Sequence, residues 1–325
     1  MAGGVIQLGI ACLGLFGLGF RYRFTIRITA PFKKILSQLP PRSLDQGVHQ
    51  VNSIVEVNRA QALGTGPVSY YNFALTLMNV PVMLLGNSIA TAAFPRLAER
   101  VAQNRPDLFR KDFIQILRIM IWLTLPVVVV SYFSRGYLAR LIFGDVAPEV
   151  ALIFGYLTVA IFFRVVYSLV SRYFYAHKDT RTPLYVSVVS IALNIFLAFT
   201  LARPDMYGVS GLAMAQSITA GFQVSLLSII MIRRDPKIFD ADFWAAITRI
   251  ISVTGFSILT AYTMVSLLPL EITDTGIITL GSKFFAISSV TLLVHLGISA
   301  VFGLTEAKAT IKKLRQIILK PIKIS

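Results

Sequence analysis

The stretch Asp45-Gln-Gly-Val-His49-Gln-Val-Asn52-Ser-Ile-Val-Glu56-Val-Asn-Arg59 sets five polar or charged residues at steps of four, three, four and three. On an α-helix this spacing stacks Asp45, His49, Asn52, Glu56 and Arg59 on one face. The stripe is about 21 Å long at 1.5 Å per residue, against a hydrocarbon layer of roughly 30 Å. Charges at that depth are costly and face a cavity or a partner instead of lipid. The stretch therefore predicts a polar pathway within a membrane protein, with interhelical hydrogen bonding and a Glu56–Arg59 pair as the plainer alternative.

Composition sets the context. Of 325 residues, 55% are hydrophobic and 14% charged, and the mean hydropathy is +0.71. A water-soluble domain carries about 25% charged residues, so the chain reads as an integral membrane protein. The net charge of +16 does not indicate nucleic acid, because the basic residues fall in short segments between long apolar runs and form no aromatic-interleaved module. The single cysteine, Cys12, lies in an apolar run, which excludes a disulfide framework and a thiolate metal cluster. His49 has no second His or Cys at ligand spacing, so no metal site is expected.

Apolar runs of about 18 residues or more predict nine spans. They are Ala2 to Phe20, Pro40 to Leu63, Val68 to Phe94, Ile114 to Phe133, Pro148 to Tyr175, Pro183 to Leu201, Gly208 to Ile232, Phe243 to Leu268 and Gly276 to Phe302. Alternate loops are basic: Arg21 to Lys34, Arg96 to Lys111, Lys178 to Arg181, Arg233 to Lys237 and the tail from Lys308. The intervening loops carry little beyond Arg135, Arg140 and Arg203. The positive-inside rule then places the C-terminus in the cytoplasm. The basic segments Arg96 to Asp112 and Thr305 to Lys320 read either as interfacial amphipathic helices or as solvated loops.

Further polar residues sit within the spans. Asn72, Thr76 and Asn79 share a face of the third, which Pro81 and Gly86 interrupt, and such breaks serve transporters as hinges. Asn194, alone in the sixth span, fits either a neutral oxygen ligand or a helix–helix hydrogen bond. Arg164 either lines a cavity or reaches an interface, whereas Arg172, near a helix end, is expected to snorkel. His295 reads as a core histidine. Asp179, before Pro183, is expected to cap a helix.

Three groups of residues then carry a resemblance: Leu39-Pro-Pro-Arg-Ser-Leu-Asp-Gln-Gly-Val-His-Gln-Val-Asn-Ser-Ile-Val-Glu56; Gly66-Pro-Val-Ser-Tyr-Tyr-Asn-Phe-Ala-Leu-Thr-Leu-Met-Asn-Val-Pro81; and Ala90-Thr-Ala-Ala-Phe-Pro-Arg-Leu97. With Tyr173-Phe-Tyr-Ala-His-Lys-Asp-Thr-Arg-Thr-Pro183 and Gly208-Val-Ser-Gly-Leu-Ala213, they are similar, in order, to the MurJ/MviN family of lipid II flippases. This family belongs to the multidrug/oligosaccharidyl-lipid/polysaccharide exporter superfamily.

The resemblance implies an all-α polytopic transmembrane helix bundle of about nine spans, built as the second six-helix lobe of such a flippase. Residues 1–20 would be the last helix of a truncated first lobe, 21–39 a cytoplasmic amphipathic linker, and 40–233 the second lobe. Residues 234–303 would form two extra transmembrane helices and 304–325 a basic cytoplasmic tail. The implied activity, in the bacterial plasma membrane, is translocation of a lipid-linked undecaprenyl-pyrophosphate saccharide by alternating access. No bond is made or broken, and a proton or cation (Na⁺) gradient or the membrane potential drives the cycle, with no cofactor implied. The implied partners are membrane lipids, the cargo and a separate first-lobe polypeptide, without which the chain is expected to be inactive.

Asn52, Glu56, Arg59, Thr76 and Asn79 are the expected cavity-lining residues, with Glu56 and Asn194 as the cation or proton site. Two positions depart from the family pattern. Thr76 stands where an arginine is usual and Asn79 where an acidic residue is usual, while Glu56 keeps an acidic position. Export of another lipid-linked oligosaccharide and cation-coupled export of small amphiphiles remain alternatives. A membrane-embedded transferase would need a carboxylate cluster or His–Asp pair, which the sequence does not show, so the chain is not read as an enzyme.

Overall fold

A computed structural model describes residues 47, 50–64, 66–271 and 274–307. All of them belong to the compact unit Leu44–Ser325. The expected first span, the 21–39 linker, Arg42, Asp45, His49 and the tail beyond residue 307 lie outside the described residues. Within them every regular element is helical. In chain order they are α1 (50–61), α2 (Pro67–Pro81), α3 (Ser88–Ala102), α4 (Pro106–Phe133), α5 (Arg135–Phe143), α6 (Ala147–Ala176), α7 (Arg181–Leu201), α8 (Ser210–Arg234), α9 (Ala241–Leu267) and α10 (Gly276–Val301). Seven helical stretches among the described residues are long and apolar enough to cross a membrane. They match the expected third to ninth spans.

The third span differs from the expected kink. Pro81 has no N–H to donate to the helix ladder, and the chain absorbs the defect in a π-helical segment, Val82–Asn87, which leads directly into α3. Helix 67–102 is therefore continuous. Single π-turns of this kind are often found at functional sites. Gly86 lies where this segment meets α6: a Cβ there would sit 3.2 Å from the Val165 Cα and 3.1 Å from the Ser168 Oγ. A side chain would push the two backbones apart. The continuity also corrects the reading of Arg96 to Asp112 as one interfacial segment. Arg96 and Arg100 belong to α3, Asp112 belongs to α4, and the turn between them contains Asn104 at φ 52.

α6 is the axis of the bundle. Its buried residues recur on all sides, among them Phe154, Leu157, Ile161, Val165, Leu169 and Phe174, as expected of a helix surrounded by others. It packs against α2, α4, α5 and α8, and α7 packs on α8. α9 and α10 pair with each other and lean on α4 and α5. A polar seam helps to seat that hairpin: Trp122 Nε1 donates to Ser299 Oγ at 2.9 Å, and His295 Nδ1 lies 2.8 Å from Ser257 Oγ. His295 is buried as expected of a core histidine.

Ion pairs gather at both ends of the apolar midsection. At one end Asp112 receives Arg96 in a two-pronged contact of 2.5 and 2.8 Å and Arg100 at 3.1 Å. Arg110 meets Asp235 at 2.7 Å, Arg118 meets Glu306 at 2.6 Å and Arg234 meets Asp179 at 2.6 Å. At the other end Lys283 meets Asp274 at 2.6 Å and Arg140 donates to the Glu271 carbonyl. The described basic loops, Arg96 to Lys111, Lys178 to Arg181 and Arg233 to Lys237, are thus joined at one rim. Planar guanidinium–carboxylate forks favour such fixed geometry.

Asp179 is the most heavily bonded acid of that rim. α6 ends with Lys178 at φ 60 and the Asp179 N–H on the Phe174 carbonyl, a Schellman-type stop. The Asp179 carboxylate then accepts from the Arg181 and Thr182 N–H groups, the Thr182 hydroxyl and Arg234. Partial burial pushes its carboxyl upward, but the hydrogen bonds from Thr182 and Arg234 outweigh that and bring it from the ordinary 3.8 to about 2. A carboxyl depressed in the fold stabilises it above the unfolded value, and that contribution disappears as pH falls through the folded one. Asp179→Asn is expected to lower the unfolding midpoint in detergent at neutral pH. The gap between variant and wild type should narrow below pH 3.8 and close near pH 2; a gap constant down to pH 2 would contradict this.

Candidate functional site

Glu56, on the inner face of α1, is 5% exposed. An ionised carboxylate in so apolar a setting is tolerated only when its oxygens are met by donors. Four are present, from four helices. Asn52 Nδ2 of α1 donates at 2.9 Å, the Tyr71 hydroxyl of α2 at 3.1 Å, Asn194 Nδ2 of α7 at 2.6 Å and Gln216 Nε2 of α8 at 2.5 Å. A second layer supports the first. Asn194 Nδ2 also bonds Asn52 Oδ1 at 2.8 Å, the Thr219 hydroxyl reaches Asn194 Oδ1 at 3.4 Å, and Arg164 of α6 donates to Gln216 Oε1.

These contacts decide between the readings open in the sequence. Glu56 and Arg59 do not pair. Arg59, a turn further on, donates to the Ala202 carbonyl at 2.7 Å and lies over the Phe199 ring at 4.9 Å, tying α1 to the end of α7. Asn194 makes helix–helix hydrogen bonds, and one of its partners is the carboxylate itself.

A cavity of about 490 Å³ opens beside this network, between α2, α6, α7 and α8. Asn52 and Asn79 contribute to its wall, as do Asn194 and Gln216. Glu56 lies behind Asn52, Asn194 and Gln216, and is not itself part of the lining. Arg59 is directed to the end of α7, and Thr76 is exposed with its hydroxyl on the Asn72 carbonyl at 2.9 Å; neither lines this cavity. Arg172, near the end of α6, lines it with Arg164. A larger cavity of about 610 Å³ lies at the rim near Arg110, Arg118 and Glu306, where these charges are engaged in ion pairs.

Sequence reading missed Tyr71, Gln216 and Thr219. Gln216 and Thr219 stand three residues apart in a span otherwise rich in small and apolar residues, and that spacing is the signal that marks them. The oxygens gathered around Glu56, from carboxylate, amides and hydroxyls, are the hard donors that an alkali cation or proton would use. In this arrangement the amides present their N–H groups to the Glu56 oxygens. Among the described residues no group of three or more His, Cys, Asp or Glu is arranged to hold a metal ion.

A buried carboxylate held by several helices beside an amide- and guanidinium-lined cavity, within a bundle of helices long and apolar enough to cross a membrane, defines a polytopic membrane protein with a polar interior. The family model described as lipid II flippase MurJ matches residues 1–295, and the chain belongs to that family. A probable lipid II flippase MurJ of Rhizobium meliloti is 29% identical over 236 residues, covering 70% of this chain and 43% of that protein. The corresponding protein of Thermotoga maritima is 29% identical over 241 residues, covering 70% and 48%. The chain therefore spans about half the length of the curated relatives it matches. Among solved structures, a lipid II flippase MurJ in an inward closed conformation superposes with a TM-score of 0.71 at 22% identity, over 92% of this chain and 60% of that one. An outward-facing multidrug transporter of the MATE family gives 0.53 at 15% identity, over 86% and 68%. At these identities both likenesses are of fold.

The network makes a stability prediction. Glu56→Ala removes the shared acceptor of the Asn52, Asn194 and Gln216 amides and of the Tyr71 hydroxyl. The cost is expected to be about 2 to 4 kcal/mol, between the penalty for stranded donors in soluble proteins and the weaker average within bilayers. Glu56→Gln, which keeps one accepting oxygen, should cost less. Reversible unfolding in mixed micelles measures both, and a Glu56→Ala protein as stable as wild type would show that the four helices do not depend on this acceptor.

Proposed function

We propose that the chain forms one wall of a flippase for a lipid-linked peptidoglycan precursor, moving it across the bacterial plasma membrane by alternating access. Family membership and the buried Glu56 network beside the polar cavity support this reading. Asn52, Asn79 and Asn194 contact the polar head of the cargo, and Glu56 lies behind them as the site where a proton or Na⁺ exchanges during the cycle. Arg59 and Thr76 act at the edges of the route, Arg59 by joining α1 to α7. The basic rim faces the cytoplasm, so the C-terminus is cytoplasmic. The process is translocation, with no covalent step.

The opposing wall comes from a partner that supplies the remaining half of the relatives' length, either a separate polypeptide or further chain. The relatives are about twice as long as the matched segment, and a cavity walled on one side cannot hold a charged headgroup away from lipid. The observation that carries the reading is Glu56 itself, an acidic residue buried among four donors within a bundle of long apolar helices, since intramembrane ionisable groups mark ion and substrate pathways.

Reconstitution in proteoliposomes with labelled lipid II tests this. The chain co-assembled with a first-lobe polypeptide of a relative should translocate the label, and the chain alone should stay at the vesicle background. Glu56→Ala in the assembly should slow the initial rate about tenfold, equivalent to about 1.4 kcal/mol on the limiting step. Translocation by the chain alone would refute the half-wall reading. Wild-type rates in the Glu56→Ala assembly would refute the role of Glu56.

A further inference from the structure

Every described partner of the Glu56 side chain is a hydrogen-bond donor. Asn52, Asn194 and Gln216 turn amide N–H groups to Glu56 Oε1, and the Tyr71 hydroxyl donates to Oε2. The oxygens of the three amides are engaged elsewhere. Asn52 Oδ1 accepts from Asn194 Nδ2 at 2.8 Å, Asn194 Oδ1 from the Thr219 hydroxyl at 3.4 Å, and Gln216 Oε1 from Arg164. A hard cation such as Na⁺ needs several oxygens turned toward it at once. Beyond the carboxyl itself, this site turns hydrogens inward.

A half-turn of an amide exchanges its oxygen for its nitrogen, and the three amides differ in what opposes that turn. Asn194 meets the Thr219 hydroxyl, which both donates and accepts, so either orientation is satisfied there. Asn52 faces Asn194, and the two can turn together. Gln216 is different, because a guanidinium has donors only and keeps its charge. A turned Gln216 would set its own N–H groups against Arg164. Arg164 already has a buried Nε with no acceptor, and stranding a further donor of a charged group costs more than an ordinary hydrogen bond returns.

Arg164 opposes a cation in a second way. Its positive charge stands one amide away from the Glu56 oxygens, across Gln216. The cavity lining to which it belongs contains no Asp or Glu to neutralise it. Like charges separated by one side chain in a low dielectric repel far more strongly than they do in water. Orientation and charge thus act together, and both originate in the same residue.

We propose that the Glu56 pocket refuses Na⁺, and that Arg164 is the positioning residue that sets this selectivity by fixing the Gln216 amide with its N–H groups toward Glu56. This deepens the flippase reading, on which it rests for the use made of Glu56: of the two ions assigned to that site, Na⁺ is excluded. A neutral residue in place of Arg164 frees Gln216 to turn its oxygen inward and removes the opposing charge. Asn52 and Asn194 can then follow, and the pocket becomes one of oxygens.

The helices that meet Glu56 all lie in this chain, so the measurement needs no opposing wall. The unfolding midpoint of the full chain in detergent is compared in sodium chloride and in choline chloride at equal ionic strength, and retention of radiolabelled Na⁺ is followed in parallel. Wild type is expected to have the same midpoint in both salts and to retain no label. Arg164→Gln, whose neutral amide accepts from a turned Gln216, is expected to retain label and to gain about 3 °C in sodium at about ten times its dissociation constant. Glu56→Gln in that background should abolish both effects, and Arg164→Lys, which keeps donor and charge, should behave as wild type does. Lost packing lowers the midpoint equally in both salts, so the difference between salts reads the site and not the fold. A Glu56-dependent sodium effect in the wild type overturns the exclusion with no Arg164 variant needed. Folded Arg164→Gln protein indifferent to sodium, or a sodium effect in it that survives Glu56→Gln, overturns the role of Arg164. The flippase reading fails separately, if the chain co-assembled with a first-lobe polypeptide translocates no labelled lipid, whatever the response to sodium.

Discussion

A carboxylate enclosed by apolar helices has to be met by hydrogen-bond donors, and much of this bundle is arranged around meeting that demand for Glu56. The donors come from α1, α2, α7 and α8. Each must stand at a particular depth and rotation for its amide or hydroxyl to reach the same two oxygens. Apolar packing alone sets rotation loosely within lipid, where one hydrocarbon surface is as good as another. A shared polar acceptor fixes it. Gln216 extends the constraint to α6, because its carbonyl oxygen takes a hydrogen bond from Arg164 while its amide serves Glu56.

Backbone proximity is the complementary device. α6 can serve as an axis because neighbours approach it closely, and Gly86 in the π-helical segment admits the Val165 backbone and Ser168 hydroxyl. The π-turn follows Pro81, the residue that breaks the hydrogen-bond ladder. Gly211 does the same at the α7–α8 junction, where a Cβ would collide with the Leu201 carbonyl. Small residues at such crossings replace the hydrophobic drive that holds soluble bundles together.

The spans were legible because length and apolarity decide them almost alone, and seven of the expected nine coincide with described helices. Glu56 was legible for a related reason: a charge in an apolar run is conspicuous. Its surroundings were not. Helical periodicity shows that Glu56 and Arg59 share a face of α1, but not how that face is turned toward α7. A short rotation sends Arg59 to Ala202 and leaves Glu56 to amides from distant parts of the chain. Thr76 illustrates the same limit, since it lies on the expected face of α2 yet bonds only to its own helix. Distance from a helix end likewise does not show which neighbours flank Arg172; in the fold it lies beside Phe94 and Tyr175 in the cavity wall. Tyr71 carries no individual signal, because an isolated tyrosine in a span is ordinary until its partner is known, whereas Gln216 is marked only by its spacing from Thr219.

The network also accounts for a separation of charge that a direct ion pair would have abolished. Had Arg164 reached Glu56, the two would have formed a buried pair, and the cavity would have faced a neutral wall. A neutral amide between them transmits the geometric constraint while leaving each charge on its own side: the carboxylate enclosed and fully donated to, the guanidinium turned toward the cavity with donors to spare. Within a low dielectric the pair still attract through the spacer, so the intramembrane charges remain balanced without being quenched. A replacement of Gln216 by an apolar residue would take away the spacer and with it both functions, the donor that Glu56 needs and the acceptor that orients Arg164.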